Sequence, residues 1–270
     1  MKKESTKIGF IGTGVMGNPM ASHILKEGYE LYVYNRTSAK TQSLVASGAH
    51  ACDSPGSVAE MCDIIFAIVG FPKDVETVFL GSNGIVEKAK PGSIIVDMTT
   101  STPDLAKKIA SVAIKKGLHS LDAPVSGGDV GAKSGMLSIM VGGKKEIFNR
   151  VLPLFELMGS NVVYQGSAGS GQHTKMANQI GIASSMLAMC ESLTYAKAAG
   201  LDQKTVLKSI SSGAAGSWSL TNLAPRILRD DYEPGFFVRH FIKDMQIAID
   251  SSEAMGIPIP VSYTHLRAHE

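Results

Sequence analysis

The chain has 270 residues, 44% of them hydrophobic and 19% charged, with a formal net charge of +2. That is an ordinary globular composition, long enough for two domains, and its near-neutral charge argues against a nucleic-acid or anionic-membrane partner. Three widely spaced cysteines, Cys52, Cys62 and Cys190, fit no metal-ligand pattern and suit free structural thiols in a reducing cytoplasm better than a disulfide framework.

The basic start runs directly into a β-rich segment with no signal-peptide apolar region, and apolar runs such as 64–69 fall far short of the roughly 20 residues that span a bilayer. A soluble, cytoplasmic protein is expected. The first strand, 8–11, leads into Gly12-Thr13-Gly14-Val15-Met16-Gly17 and then a helix-like stretch from Ala21 to Leu25. Each glycine has its own reason: Gly12 allows the tight turn, Gly14 lets backbone approach a pyrophosphate, and Gly17 lets helix pack on strand. Amides at the helix start would face the phosphates, where the helix dipole favours negative charge.

The second strand, 30–34, ends in Asn35-Arg36-Thr37. An NAD-preferring Rossmann fold carries Asp or Glu there to accept hydrogen bonds from the ribose 2′-hydroxyl. A neutral Asn35 removes the charge that would repel a 2′-phosphate, and Arg36 and Thr37 could hold one, so NADP is expected over NAD. The alternative is a solvated Arg36 at a helix start.

Further strands are expected at 64–69, 93–98, 119–122, 137–141 and 161–164, alternating with helical patterns, which argues for a mostly parallel sheet wrapped by helices. Lys90-Pro91-Gly92, Ser126-Gly127-Gly128 and Gly142-Gly143 read as loops at the joints. Loops at the carboxyl ends of parallel strands line the ligand crevice, which makes Phe71, Pro72 and Thr99 candidates for cofactor contacts or, equally, turn and cap residues. Ser126 with Gly127 and Gly128 would offer backbone donors to an anion such as a carboxylate.

After the glycine-rich stretch ending at Gly171 the pattern changes to one long helix, 174–199, rich in Ala, Met, Ile and Leu. It is expected to be buried, as the spine of an all-helical domain or at a subunit interface. Lys175 lies in its first turns, where a lysine is costly unless solvated, paired or used, and Asn178 and Gln179 share its face. Trp218 could line a pocket, though core packing is the expected role. The last ten residues break the helical pattern and are similar to translated sequencing-adapter read-through standing in for the true C-terminus. His265 and His269 there have helical metal-pair spacing but no third ligand, and no metal site is expected.

In these motifs the chain resembles the β-hydroxyacid dehydrogenase family, which includes 3-hydroxyisobutyrate dehydrogenase and tartronate semialdehyde reductase. The resemblance runs from residue 7 to 260 and rests on four ordered motifs: the glycine loop with Met16 and Met20, 122–128, 169–179, and Phe236 through Lys243-Asp244. It implies an N-terminal Rossmann doubly wound sheet followed by an all-α C-terminal domain. The corresponding boundaries are 1–166 for the NADP-binding domain, 167–260 for a truncated substrate and oligomerisation domain, and 261–270 for the atypical tail. Lys175 takes the family's catalytic acid/base position and Ser126, Gly127 and Gly128 its substrate-carboxylate site. The resemblance further implies that Lys243 and Asp244 form a pair bordering the nicotinamide and closing the site.

The resemblance leaves open which of Asn178 and Gln179 orients the substrate, and whether Phe236 packs on substrate or fills the core. It implies hydride transfer between NADP(H) and a small β-hydroxyacid or semialdehyde, without metal, in a homodimer or homotetramer. Two alternatives are an imine reductase, a similar fold that generally lacks the lysine, and a non-catalytic NADP-binding module.

Overall fold

The computed structural model describes residues 5–233 and 235–267. The chain divides after Lys175 into two compact units. In the first unit the order begins β1 (Lys7–Ile11), α1 (Gly17–Lys26), β2 (Glu30–Tyr34), α2 (Gln42–Ala46), β3 (His50–Ala51), α3 (Pro55–Met61) and β4 (Ile64–Ala67). It continues with α4 (Pro72–Leu80), α5 (Ile85–Lys88), β5 (Ile94–Asp97), α6 (Pro103–Lys115) and β6 (His119–Asp122). Then come β7 (Val125–Ser126), α7 (Gly128–Ser134), β8 (Ser138–Gly143), α8 (Lys145–Phe155) and β9 (Asn161–Gly166).

The strands form one sheet in the order β3-β2-β1-β4-β5-β6-β8-β7, with β9 beside β8. Pairs from β3 through β6 are parallel, β6–β8 and β7–β8 antiparallel, and β8–β9 parallel. Strand order reverses between β1 and β4, the place where open α/β sheets open a ligand crevice. The Rossmann fold expected from the sequence is therefore present.

The central strands are apolar on both faces because helices cover both. Ile8, Phe10, Ile64, Phe66, Ile94 and Val96 face one core with Met20 and Ile24 of α1 and Val151 and Phe155 of α8. The intervening Ile11, Ile65, Ala67 and Ile95 face a second core with Val58 of α3, Phe79 of α4 and Ile109 of α6. A period of two thus feeds two cores, each fully buried large side chain contributing about 1.5–3 kcal/mol. Cys62 sits in the second core, where burial pushes its thiol well above the ordinary range.

Two details differ from the sequence reading. Gly142 and Gly143 are not a loop but the end of β8, paired with Asp122 and Leu121. Their lack of a side chain is spent on close packing, since a methyl group on Gly142 would crowd the Asp122 carboxylate. Ser126, expected in a loop after a strand, ends the two-residue β7, opposite Ser138.

Helix α9 (Ser170–Ala198) begins in the first unit and supplies most of its length to the second, followed by α10 (Gln203–Ile210), α11 (Trp218–Asn222), α12 (Ala224–Ile227), α13 (Val238–Ala254) and α14 (Pro260–Arg267). The composition shift at 167 and the compact division after Lys175 differ because the first turn of α9 is bonded to the strand ends. Within the second unit, Met189 and Leu193 of α9 pack with Leu207, Leu220 and Ala224, while Met176 packs with Ile247 and Ala248 of α13.

The sequence expectation of a buried long helix is corrected in part: α9 buries one stripe, including Gln172, Lys175, Met176, Gln179, Ala183, Met189, Leu193 and Ala196, whose steps are of three or four residues except at the adjacent pair Lys175 and Met176 and at the longer step after Ala183. Its other positions are accessible in the chain by itself, among them Cys190. Trp218 is also corrected, being 56% exposed rather than in the core. Phe236 is not a core residue either; it is exposed and makes an edge-on contact with Phe241.

The segment 261–267, set aside as patternless, continues helix α14, which buries Ser262 and His265, with the His265 ring edge-on to Phe241 at 5.0 Å. His269 lies outside the described residues. No group of three potential metal-ligating side chains occurs among the described residues, and no helix there is long and apolar enough to cross a membrane.

Candidate active site

Within the first unit, the carboxyl ends of the parallel strands place the sequence candidates from Gly12 to Thr99 along one edge of the sheet. After β1, Gly12 adopts φ +91°, a left-handed conformation that a side chain would strain. A methyl group there would also overlap the carbonyl oxygen of Ile68, and one on Gly17 would overlap that of Gly12. Gly14 differs: a methyl group on it meets no protein atom within 4 Å. Packing within the protein therefore explains Gly12 and Gly17 but not Gly14, whose open side is where a pyrophosphate would approach. Helix α1 has no side-chain cap at Met16, which leaves that role open to a ligand anion, and Val15 beside it is exposed.

After β2, Asn35 Oδ1 accepts from the Thr13 N–H at 3.0 Å and Asn35 Nδ2 donates to the Thr37 carbonyl at 2.9 Å. Asn35 therefore braces the glycine loop against the neighbouring strand end. The Arg36 side chain is 87% exposed, with its guanidinium 3.3 Å from Asp74 Oδ1. The other Asp74 oxygen accepts from the Phe71 N–H at 3.2 Å, holding the first turn of α4 beside Arg36. Phe71 and Pro72 thus stand at the entry to α4, at the carboxyl end of β4. Asp74 was missed in the sequence, although a carboxylate three residues after the residue preceding a helix is a usual first-turn arrangement.

Thr99 is buried, and its hydroxyl accepts from the Val69 N–H at 3.0 Å, so its side chain orders the ends of β4 and β5. Asp122 closes β6, and its two oxygens accept from the N–H groups of Gly169 at 2.8 Å and Gln172 at 3.0 Å. Burial pushes the Asp122 carboxyl above its ordinary range, with these backbone donors opposing the shift. Gln172 in turn accepts from the Ser101 N–H at 2.9 Å and donates to the Thr99 carbonyl at 2.7 Å. Nothing in sequence spacing singled out Gln172.

Lys175 follows one turn later on α9 and is only 6% exposed. A primary amine so enclosed is a costly feature to maintain for packing alone. Ser126 is half-buried at the end of β7, and Gly127 at φ +129° turns the chain into α7, which Gly128 opens.

The second unit holds a polar chain of its own. Asn178 Nδ2 donates to Gln179 Oε1 at 2.8 Å, and Gln179 Nε2 donates to Asp244 Oδ2. The other Asp244 oxygen lies 2.8 Å from Lys243 Nζ, and Asp244 is almost fully buried. Both amides left as alternatives in the sequence thus join one network, with Asn178 the more accessible of the two.

The family model for the NAD-binding domain of 6-phosphogluconate dehydrogenase matches residues 7–166. The model for the NAD-binding domain of NADP-dependent 3-hydroxyisobutyrate dehydrogenase matches residues 169–267. An uncharacterized oxidoreductase of Bacillus subtilis is 57% identical over 253 residues, covering 94% of this chain and 88% of that protein. The 2-hydroxy-3-oxopropionate reductase of Escherichia coli is 39% identical over 258 residues, 96% of this chain and 88% of its own. A solved Mycobacterium tuberculosis 3-hydroxyisobutyrate dehydrogenase with L-serine superposes with a TM-score of 0.89 at 25% identity, over 97% of this chain and 91% of that one. Fold, strand-end loops and these matches over both units agree, and the chain belongs to the 3-hydroxyisobutyrate dehydrogenase-like β-hydroxyacid dehydrogenase family of NAD(P)-dependent oxidoreductases.

Proposed function

We propose that the protein interconverts a small β-hydroxyacid and its semialdehyde with NADP(H), using Lys175 as general acid and base. Substrates of the 2-hydroxy-3-oxopropionate or 3-hydroxyisobutyrate type fit this reading best. The observation that carries it is the burial of Lys175 on α9, in a family that acts on hydroxyacids. NADPH, when bound, supplies a hydride to the carbonyl carbon. Lys175, as ammonium, gives a proton to the carbonyl oxygen as negative charge develops there, leaving an alcohol and a neutral amine. The amine then regains a proton from solvent. In the oxidative direction the neutral amine accepts the hydroxyl proton.

The remaining side chains bind and orient. Ser126 and the backbone of Gly127 and Gly128 hold the substrate carboxylate, and Asn178 and Gln179 supply amides to the substrate, with Phe236 contributing an apolar surface. Lys243 and Asp244 border the nicotinamide. Val15, Met16, Phe71 and Pro72 contact the dinucleotide, and Arg36 and Thr37 take the 2′-phosphate.

The test is Lys175→Ala, assayed at the nicotinamide absorbance with 2-hydroxy-3-oxopropionate, methylmalonate semialdehyde, succinic semialdehyde and glyoxylate. Turnover should fall by about three orders of magnitude, in the range of a lost general acid, with NADPH affinity within twofold of wild type. Near-wild-type turnover in the variant would overturn the assignment. Among these aldehydes discrimination rests on about 1–3 kcal/mol per methylene, so the ranking of kcat/KM identifies the substrate class.

A further inference from the structure

We infer that Asp122 and Gln172 are positioning residues that set the height and rotation of Lys175 above the strand ends. This rests on Lys175 being the acid and base, and it concerns groups that touch neither substrate nor cofactor in that reading. The first turn of a helix leaves N–H groups without intrahelical partners, so its direction is ordinarily loosely held. Here Asp122 engages the N–H groups of Gly169 and Gln172 with separate oxygens. A methyl group on Gly171 would crowd both the Asp122 carbonyl and its carboxylate, so helix and strand end are in direct contact.

Gln172, fully buried, adds two bonds in other directions, to Ser101 N–H and the Thr99 carbonyl. Thr99 is itself fixed by Val69 and Asp97. The carboxyl ends of β4, β5 and β6 therefore converge on one helical turn. Lys175 stands three residues after Gln172, on the same face of the helix. A carboxylate at the start of α9 also complements the helix dipole, so the anchor and the charge work together.

The consequence is kinetic. A reacting group displaced by about 1 Å loses on the order of a hundredfold in rate even when it remains chemically competent. Asp122→Asn keeps one acceptor but turns an amide donor toward a backbone N–H, and Gln172→Met keeps volume while removing both of its bonds. A helix cap that served stability alone would leave the chemistry of the folded variant unchanged.

The experiment is a double-mutant comparison, with single-turnover reduction of succinic semialdehyde or 2-hydroxy-3-oxopropionate, whichever is faster, followed by nicotinamide absorbance. Asp122→Asn should lower the rate about 10- to 100-fold in the wild-type background, with NADPH affinity and substrate KM within twofold. In the Lys175→Ala background the same substitution should change the residual rate less than twofold, since the group it positions is already gone. Equal losses in both backgrounds, or a folded Asp122→Asn enzyme with wild-type kcat, would overturn the proposal. If Asp122→Asn does not fold, Gln172→Met carries the same comparison, and failure of both to fold would assign the pair to stability alone. A failure of the underlying reading is distinguishable, because Lys175→Ala by itself would then retain turnover.

Discussion

Asn35 and Thr13, 22 positions apart, are joined by a 3.0 Å bond from the Thr13 N–H to Asn35 Oδ1, which ties the glycine loop to the end of β2. The residue that replaces the usual carboxylate at this strand end is thus a structural brace, and in the proposed function also a neutral neighbour for the 2′-phosphate. Asn35→Asp preserves the acceptor for Thr13 and introduces the negative charge. NADPH affinity should drop by about tenfold or more while NADH affinity holds or improves, in keeping with repulsion of a 2′-phosphate at close range. Fluorescence titration with both cofactors checks this, and equal effects on the two would remove the 2′-phosphate from the reading.

Arg36→Ala tests the same site from the other side. Its guanidinium is exposed and shared with Asp74, so the pair adds little stability and unfolding should shift by less than about 1 kcal/mol. NADPH affinity should fall about 10- to 100-fold, the value of charge-assisted bonds to a phosphate, and NADH affinity should stay nearly constant.

The glycines of the first loop should separate into two classes. Gly17→Ala forces a side chain onto the Gly12 carbonyl, a backbone atom that cannot rotate away, and should cost about 3 kcal/mol or more in denaturant unfolding. Gly14→Ala meets nothing in the protein and should leave the melting temperature within about 2 °C, while weakening cofactor binding by about tenfold or more through loss of close backbone approach. A Gly14→Ala protein that binds NADPH normally would place the pyrophosphate elsewhere.

Acid should act on the second unit through Asp231. Its carboxyl is held at about 2, below its ordinary value, mainly by hydrogen bonds from Arg226, whose Nε and one terminal nitrogen donate at 2.8 and 2.9 Å. A depressed carboxyl contributes stability above its unfolded value near pH 4 that is lost as pH falls toward 2. Melting temperatures of wild type and Asp231→Asn should therefore differ at pH 5 and converge as pH approaches 2. The difference should be modest, since both side chains are partly in solvent. A gap that widens on acidification would contradict the assignment.

The sequence by itself determined the alternation of strands and helices, the glycine loop after β1, the neutral strand end at Asn35 and a lysine in the first turns of α9. These are local properties: side-chain period, turn chemistry and charge are written residue by residue. It misread Gly142-Gly143 as a loop because glycine marks turns in sequence, whereas here it permits close approach to Asp122. It put Trp218 in the core because hydrophobicity carries no information on whether partners exist to bury it.

Tertiary structure alone decided that β1 and β4 are neighbours at the reversal of strand order, and that Asp74 meets Arg36. It also decided that Asp122 and Gln172 hold the turn of helix that carries Lys175. Each of these joins residues 38 to 73 positions apart or depends on the order of strands in space. Hydrogen bonds over such separations come from the path of the whole chain, and the periodicity of no single segment encodes them.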